Sequence, residues 1–466
     1  MGIAYKLAEF VIQEKFENLP ENVVNDTKRL VLDALGCALG GKKIKYVSDK
    51  IINVIISIGG NPESSIIGVR KKVSAPMAAY CNAKIGQLMD MDDVFLNFGH
   101  QCPMVFYPAL AIAERQKASG KDFITAFALG YETSSRVVLG VGTLFDVVDG
   151  KVIETDVTSF GQGIFGGVAA SGKLLKLKVE EMENAFGIAG LYTPAPLVTK
   201  GAVDMSMSKY NLELPAFGAV LGALLAKEGF EGPRTILDDD IYAKSLGKKS
   251  LEQALIIRDL GEKWHIGVTS IKPYPTCRHN HYVIDLVDKL VRENNIASEE
   301  IEQIVVKGLA NYMKPPWNNY EPKNEFEFEF SVPCQVAVTA MRIPPSQWLY
   351  PETFLAPNVV KLARKVKFEV EPSIGQLILE KHPEPVLEIP TRVTVVSKGR
   401  VLSGETRLAK GDGFSEETRM NDEELKEKFR NNSSKVLSDH KIEKVIERVF
   451  HLEDVKDVRE LTLLLH

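Results

Sequence analysis

The segment of residues 87–100 concentrates side chains that can exchange protons. Asp90, Asp92, Asp93 and His100 follow directly on an apolar, helical run. Desolvating several polar groups at the end of a hydrophobic helix is costly unless they face a cavity, and titratable side chains in a cavity are typical of catalytic sites. The pattern therefore predicts acid–base chemistry at this helix end. The alternative is an ordinary helix C-terminus whose carboxylates are solvated.

A second segment, residues 272–281, carries cations that could hold an anionic ligand. The two prolines of its Lys-Pro-Tyr-Pro stretch fix their own φ angles and disfavour helix at the residues before them, so Lys272 is held on extended chain. Thr276 suits the N-cap of the helix that follows. Peptide N–H groups at that helix start would join Lys272 and Arg278 in attracting an anion. The alternative is a surface helix with a basic first turn.

The helices and strands that must position these two segments divide the chain into two parts with different hydrophobic periodicity. Apolar residues recur with a helical period up to about residue 262, whereas later segments alternate as half-buried strands do. We therefore expect a mainly α fold, with a large all-helical domain over residues 1–267 and a smaller α+β domain over residues 268–399. Residues 400–466 are expected to return to the helical domain. Strands are predicted near 301–309, 366–370, 391–396 and 401–407.

The composition narrows the class of protein. The 466 residues are 45% hydrophobic and 26% charged, which is ordinary for a globular protein. A formal charge of −5 and a pI near 6.0 argue against a nucleic-acid partner, which usually requires a basic face. The five cysteines are scattered without CxxC spacing, so neither disulfides nor a zinc site is expected. The absence of a signal peptide and of a long apolar stretch predicts a cytoplasmic enzyme with no membrane partner.

Three short patterns suggest other chemistry. Residues 161–166 fit the dinucleotide-binding G-x-G-x-x-G pattern, but no βαβ alternation surrounds them. Residues 167–173 imitate a phosphate-binding loop, but Leu174 stands where a Ser or Thr should hold magnesium. Close packing of helices through small residues explains both patterns better. The D-x-D-D pattern of residues 90–93 also occurs in terpene cyclases, whose carbocation pockets need more rings than this chain supplies. This loop and His100 show no recognised metal-ligand spacing, so no metal is expected.

Six motifs occur in a characteristic order over nearly the whole chain. They are Asp33-Ala-Leu-Gly-Cys-Ala-Leu-Gly-Gly41, the block that begins Asn82-Ala-Lys and ends Met-Asp-Met-Asp-Asp93, Gly172-Lys-Leu-Leu175, Gly229-Phe-Glu-Gly-Pro-Arg234, Lys272-Pro-Tyr-Pro-Thr-Cys277 and Phe328-Glu-Phe-Ser331. In this order they resemble the MmgE/PrpD family, which includes 2-methylcitrate dehydratase, cis-aconitate decarboxylase and an iminodisuccinate epimerase. The resemblance implies an all-helical domain completed by the C-terminal tail, a smaller α+β lid domain, a homodimer, and no metal or organic cofactor.

Carried over residue by residue, the resemblance implies an active site built from both segments. Asp90 and His100 correspond to proton-transfer groups of the acidic motif, and Lys209 and Lys272 correspond to catalytic lysines around a di- or tricarboxylate. Such cations offset the desolvation of the carboxylates, while a carboxylate or a histidine moves a proton beside one of them. Further contacts to the substrate are expected from Asp93, Cys277, Arg278, His279 and His281.

The chain departs from the family pattern at informative positions. A His-Pro pair usually precedes the small-residue helix, but residues 156–158 read Asp-Val-Thr here. Val94 and Cys277 stand where the decarboxylases have a threonine and a lid histidine. An imidazole from His279 or His281 is one replacement for the missing histidine.

From these residues we expect a cofactor-independent lyase that resembles 2-methylcitrate dehydratase and acts on a small polycarboxylate by proton transfer next to a carboxylate. Epimerisation and decarboxylation require the same proton transfer, so both remain alternatives. A third interpretation is a catalytically inactive family member that binds carboxylates, because the His-Pro pair is missing.

Overall fold

A computed structural model describes residues 2–96, 99–142, 145–154, 161–193, 206–246, 248 and 250–466. Helices dominate these residues, which confirms the prediction of a mainly α fold. No helix in the described part of the chain is long and apolar enough to cross a membrane. The longer helices are Ile3–Gln13, Glu21–Gly41, Lys45–Ile58, Ala75–Gln87, Cys102–Gln116, Gly120–Val141, Ile164–Leu174, Val179–Gly190, Glu213–Lys227, His281–Glu293, Val332–Ala340, Ser373–Lys381, Asp422–Ser433 and Asp439–Phe450.

The larger apolar core is built mainly by helices of the N-terminal half. Glycines allow some of these helices to touch backbone to backbone. A Cβ atom on Gly166 would lie only 2.3 Å from the carbonyl oxygen of Gly130 on the neighbouring helix Gly120–Val141. Only glycine fits at such a contact, so the small-residue run that begins the helix Ile164–Leu174 serves helix packing. A Cβ atom on Gly167, the first residue of the second pattern, would likewise lie 2.2 Å from the carbonyl oxygen of Met104, so both nucleotide-like patterns serve packing at these contacts.

A four-stranded sheet lies in the second half of the chain, beside a second apolar core. The strand order is Arg400–Thr406, Thr391–Ser397, Ile301–Gly308 and Val366–Val370, and only the last two strands run parallel. Three of these strands are predicted from the alternation of their side chains, and the strand Arg400–Thr406 is predicted as the second strand of a hairpin. The helix His281–Glu293 packs its apolar face across this sheet. The edge strand Arg400–Thr406 belongs to this sheet, so the sheet extends beyond residue 399, the expected end of the α+β domain.

The last helices pack against the first half of the chain. Asp422–Ser433 and Asp439–Phe450 both contact the long helix Glu21–Gly41. A buried ion pair joins Asp422–Ser433 to Glu21–Gly41, because Lys428 Nζ lies 2.5 Å from Asp33 Oδ1. The Lys428 ammonium also donates a 2.8 Å hydrogen bond to the carbonyl of Met91, which lies in the acidic loop. The C-terminal segment therefore contacts the acidic loop through Lys428.

Candidate active site

A two-residue strand pair brings the acidic loop to the Lys272 segment. Val94–Phe95 pairs antiparallel with Thr269–Ser270. In an antiparallel pair the residues before one strand lie at the same end as the residues after the other. Asp90 precedes the first strand and Lys272 follows the second, so their side chains meet. Lys272 Nζ donates a 2.6 Å hydrogen bond to Asp90 Oδ1 although 182 positions separate them in the chain.

The backbone turns sharply where the helix Ala75–Gln87 ends. Asp90 has a φ of +46°, in the left-handed region that aspartate tolerates better than most residues. Its N–H donates to the carbonyl of Gln87 at 3.0 Å, which closes the turn and directs the loop inward. Asp90 and Asp93 are 0% exposed and Asp92 is 2% exposed. The alternative of solvated carboxylates at a helix end is therefore wrong.

Two lysine ammonium groups neutralise Asp90. Lys272 contacts Oδ1, and Lys209 Nζ lies 3.4 Å from Oδ2. The Tyr210 hydroxyl also donates to Oδ2, at 3.4 Å. Burial alone would raise the pKa of Asp90, but Lys209 and Lys272 outweigh burial and hold that pKa well below its ordinary value. Asp90 is therefore a fixed anion that positions two cations, and it is a weak base.

Lys209 lies in a cage of aromatic rings and carboxylates. Its Nζ is 4.8 Å from the ring centre of Tyr210 and 5.3 Å from that of Phe330. It also donates a hydrogen bond to the Glu329 carboxyl. Burial would lower the pKa of Lys209, but the charge of Asp90, together with that of Glu329 when Glu329 is ionised, outweighs burial and raises it. The ammonium therefore keeps its charge, and attraction to the ring faces adds to the hold on it.

His100 is oriented by a carboxylate on the same loop. Its Nδ1 lies 2.7 Å from Asp92 Oδ2, and its Nε2 lies 3.8 Å from Asp90 Oδ1. A carboxylate only accepts hydrogen bonds, so Nδ1 carries the proton and Nε2 is the basic atom of the neutral ring. The ring also packs on Tyr210, with 4.9 Å between ring centres. The arrangement is the one by which a carboxylate fixes the tautomer of a catalytic histidine.

Asp93 faces away from the two lysines and has partners of its own. Its Oδ1 accepts a 2.8 Å hydrogen bond from the N–H of Cys102, and its Oδ2 accepts a 2.7 Å bond from the Tyr131 hydroxyl. Thr269 donates in turn to the Tyr131 hydroxyl at 2.9 Å. Burial and the neighbouring Asp92 raise the pKa of Asp93 to about 6. These contacts fix the loop to two neighbouring elements.

Arg278 contacts the chain around Asp412. It forms an ion pair with that carboxylate and donates to the carbonyls of Ala409 and Lys410 at 3.0 and 2.8 Å. Its guanidinium also donates to Nδ1 of His281 at 3.0 Å, so Nε2 carries the proton of that ring and faces the Thr276 carbonyl at 3.3 Å. Burial and the two cations Arg278 and Lys272 hold the pKa of His281 well below its ordinary value. His281 is therefore neutral, and these contacts tie Arg278 to the 409–412 segment.

Cys277 lies close to the cluster. Burial and the charge of Asp90 raise the pKa of its thiol to about 12, so the thiol stays protonated at neutral pH. The N–H of Cys277 donates to the Glu329 carbonyl at 2.9 Å. His279 is buried on the following turn, where its carbonyl accepts from the Tyr312 hydroxyl.

Within the described residues, Asp90, Asp92 and His100 also offer three possible metal-ligand atoms within 4.8 Å of one another. Lys272 already competes for this position, because its ammonium lies 2.6 Å from Asp90 Oδ1 and 3.9 Å from Asp92 Oδ1. A divalent cation there would face direct repulsion from the lysine. The donor set suits an ammonium ion held by carboxylates better than it suits a metal ion.

Sequence reasoning missed three parts of this cluster. Glu329 contacts Lys209, Tyr210 contacts Asp90 and His100, and Asp92 orients His100. A signal existed for Glu329, because it belongs to the Phe-Glu-Phe-Ser motif of residues 328–331. Asp92 was visible as one of the three carboxylates of the loop, but its distinct role depends on the side-chain geometry.

An open groove borders the cluster. Its volume is about 830 Å³, and it passes between elements of the helical part and the sheet-containing part. Met89 and Met91, the two neighbours of Asp90, line it, as do the two prolines of the Lys272 segment and the apolar residues Leu349 and Tyr350. The segment 155–160, which includes the position of the missing His-Pro pair, lies outside the described residues, as does the segment 194–205 that precedes the Lys209 turn.

Comparison with known proteins adds independent information. Over 311 residues the chain is 26% identical to a cis-aconitate decarboxylase of Aspergillus terreus. This alignment covers 62% of this chain and 60% of that protein. It is also 25% identical over 474 residues to the cis-aconitate decarboxylase of Mus musculus and 24% identical over 474 residues to that of Homo sapiens. Each of these two alignments covers 97% of this chain, with 91% of the mouse protein and 92% of the human protein. The chain therefore spans only about 60% of the length of the Aspergillus terreus relative but nearly all of the mammalian ones.

Family membership rests on a broader match. Residues 5–252 match the MmgE/PrpD N-terminal domain, and residues 274–452 match the MmgE/PrpD C-terminal domain. The first match alone covers more than half of the chain, and both follow the order of the six motifs. The chain belongs to the MmgE/PrpD family.

Proposed function

We propose that this chain is a cofactor-independent lyase that acts on a small polycarboxylate by moving a proton at a carbon next to a carboxylate. The observation that carries the proposal is the buried convergence of Lys209 and Lys272 on Asp90, beside His100. Buried ammonium groups offer strong sites for carboxylates, since the low local dielectric strengthens the attraction. The nearby imidazole supplies the base.

His100 is the better candidate for the proton transfer itself. Its Nε2 is the basic atom because Asp92 holds the proton on Nδ1. Asp90 was expected to share this task, but its lowered pKa makes it a weak base and an anchor for the lysines. When His100 removes the proton, the electron pair spreads onto the neighbouring carboxylate, whose growing charge an ammonium can stabilise.

Dehydration is our first candidate reaction, because the β-hydroxyl can leave such a carbanion as water once it takes up the proton that His100 has removed. Cys277 stands where the decarboxylases of the family have a histidine, and its protonated thiol is a poor acid–base group at neutral pH. Decarboxylation is the second candidate, and it is favoured by the similarity of the chain to cis-aconitate decarboxylases. Epimerisation, or binding without turnover, would leave the mass of the ligand unchanged.

We also propose that the enzyme works with a helical domain over residues 1–267, a lid over residues 268–399 and a C-terminal segment over residues 400–466. The strand Arg400–Thr406 at the start of this segment joins the sheet of the lid, and the helices after it complete the helical domain. The groove beside Met89 and Met91 supports this division, because it runs between elements of the two larger parts. Four further residues were expected to contact the substrate: Asp93, Arg278, His279 and His281. In this arrangement they would instead support the residues that bind the ligand, while Cys277 faces it.

A homodimer completes the proposal. The helix Lys45–Ile58 exposes a stripe of apolar side chains, with Tyr46 46%, Val54 52% and Ile58 58% exposed. Lys50 lies on the same face and contacts Met207 at 4.0 Å, so the stripe continues onto the turn that holds Lys209. An exposed apolar face of this kind marks a contact surface.

The decisive experiment is a mass-spectrometric screen of the purified protein with citrate, 2-methylcitrate and cis-aconitate. Loss of water from a hydroxy acid would support dehydration, and loss of carbon dioxide would support decarboxylation. The Lys272→Ala variant should form no product, while Lys361→Ala, which removes a surface lysine, should match the wild type. If the wild type neither converts nor binds any of these acids, the proposed function is wrong.

A further inference from the structure

Glu329 contacts the ammonium group of Lys209, which a substrate carboxylate would also need to bind. It is 0% exposed, and it directly follows the short helix Glu325–Phe328. Its Oε2 accepts a hydrogen bond from Lys209, whose Nζ also lies 3.4 Å from Asp90 Oδ2. One lysine is therefore shared by two carboxylates, although Asp90 alone would already balance its charge.

The backbone and the second oxygen of Glu329 point to the same place. Its carbonyl accepts from the N–H of Cys277, which fixes Glu329 beside the Lys272 segment. Its Oε1 is buried and receives no hydrogen bond from the described residues. A buried carboxylate oxygen without a donor is costly when the group is ionised. That cost falls when Glu329 carries a proton.

The charge balance of the cluster leads to the same conclusion. Asp90, Asp92 and Glu329 supply three carboxylates against the two ammonium groups of Lys209 and Lys272. With all three ionised, the cluster is too negative to attract an anionic ligand. With Glu329 neutral, the charges balance and Lys209 becomes available to another carboxylate.

We propose that Glu329 acts as an internal substitute for a substrate carboxylate, and that a polycarboxylate binds Lys209 only when Glu329 has taken up a proton. This inference rests on the proposed function, because it assumes that Lys209 binds a carboxylate of the substrate. Glu329 is then a specificity-determining residue that sets the upper pH limit of binding.

The surroundings of Glu329 place its titration in an accessible range. The charged and titratable groups that face it are Lys209, Asp90, Glu325, Lys84, Tyr46 and Tyr210. Burial, assisted by the charges of Asp90 and Glu325, raises the pKa of Glu329 to about 8 despite the opposing effect of Lys209. The carboxyl is therefore mostly protonated at pH 7 and mostly ionised at pH 9.

The test uses calorimetric titration with tricarballylate, a tricarboxylate that has neither a hydroxyl group nor a double bond to react. The wild-type Kd should be about tenfold weaker at pH 9 than at pH 7, because only about a tenth of the molecules then carry the proton on Glu329. In Glu329→Gln the Kd should change less than about twofold over the same range. Glu327→Gln is the matched control, since it removes a half-buried carboxylate from the adjacent helix Glu325–Phe328 whose partners are Asn319 and the N–H of Lys323. It leaves the contact of Lys209 with Glu329 intact and should keep the wild-type pH dependence.

A second measurement uses the wild type alone, so it does not depend on the folding of any variant. Titrations at pH 9 in buffers of different ionisation enthalpy should show uptake of about one proton for each tricarballylate bound. The inference is overturned if no proton is taken up, or if folded Glu329→Gln keeps the tenfold pH dependence. If the wild type fails to bind tricarballylate even at pH 7, the proposed function fails with it, whereas binding without pH dependence refutes only the role of Glu329.

Discussion

Asp92 acts on the chemistry through another side chain. It does not replace His100 as the base, but its 2.7 Å contact with Nδ1 decides which ring nitrogen is basic. An asparagine has the same shape, yet its amide group can donate to Nδ1 and so stabilise the wrong tautomer. The effect of Asp92 on catalysis can therefore be separated from its effect on packing.

Asp92→Asn should lower kcat by about 100-fold or more, because partners that orient a functional histidine commonly contribute factors of this size. KM should change less than kcat, since Lys209 and Lys272 remain in place to bind the carboxylates. Steady-state kinetics with the substrate found in the screen would measure both constants. Asp49→Asn, which changes a half-exposed carboxylate, should match the wild type, and an unchanged kcat in Asp92→Asn would remove His100 from the mechanism.

Asp93 should affect stability with a defined pH dependence. Because burial raises its pKa to about 6 in the folded chain, the folded state binds this proton more tightly than the unfolded state does. The resulting stabilisation is complete below the ordinary pKa of 3.8 and is lost as the pH rises through about 6. Between pH 4 and pH 7 the wild type should therefore lose about 2 kcal/mol of unfolding free energy relative to Asp93→Asn.

Urea unfolding of both proteins at several pH values would measure this difference. A difference that stays constant with pH would show that Asp93 is ionised equally in both states. Asp49→Asn again serves as the control and should follow the wild type at each pH.

Side-chain types in the sequence indicated Asp90, His100 and Lys272, and the family resemblance indicated Lys209. The structure brings His100 and both lysines to Asp90. The position of Arg278 could not be predicted, because its partner Asp412 lies 134 residues further along the chain. The same holds for Glu329, whose contact with Lys209 spans 120 residues.

Among the secondary-structure elements, the helix Asp422–Ser433 has the most direct influence on the acidic loop. Its Lys428 is buried and joins Asp33 to the carbonyl of Met91. A buried ion pair contributes little net stability while both partners are present, but the loss of one partner leaves an uncompensated charge.

Lys428→Met should therefore cost about 3–5 kcal/mol of unfolding free energy, because Asp33 remains buried without its cation. Lys426→Met on the same helix breaks a surface pair with Glu423 and a contact of the ammonium with the Phe450 ring, and should cost at most about 1 kcal/mol. The double variant Asp33→Leu with Lys428→Met should regain part of the loss. Equal stabilities of the Lys428 and Lys426 variants would show that the buried pair does not support the fold.

The existence and type of the elements followed well from their periods. The strands near 301, 366, 391 and 401 alternate apolar and polar residues, and all of them join one sheet. The pairing of Val94–Phe95 with Thr269–Ser270 could not be predicted, since two residues are too few to show alternation. Yet this pair positions the whole site.

For the whole molecule, the exposed stripe on the helix Lys45–Ile58 makes a prediction about assembly. The wild type should sediment at twice the chain mass of 51.6 kDa. Val54→Glu should yield monomers, because it places a charge in the centre of the apolar face. Val401→Glu changes a more exposed valine on the sheet edge, where Val401 is 68% exposed, and should leave the dimer intact.

Sedimentation velocity over a range of concentrations would test this expectation. A monomeric wild type would contradict the homodimer proposal. Dissociation by Val401→Glu instead of Val54→Glu would move the interface to the sheet.

The strand pair between residues 94–95 and 269–270 also has a consequence for biosynthesis. Asp90, the first of the three aspartates of the loop, leaves the ribosome 182 positions ahead of Lys272. At ordinary elongation rates this delay lasts roughly 10–40 s. During that interval the nascent N-terminal helices must fold around carboxylates that still lack their cation, so those carboxylates remain hydrated or protonated until the later segment emerges.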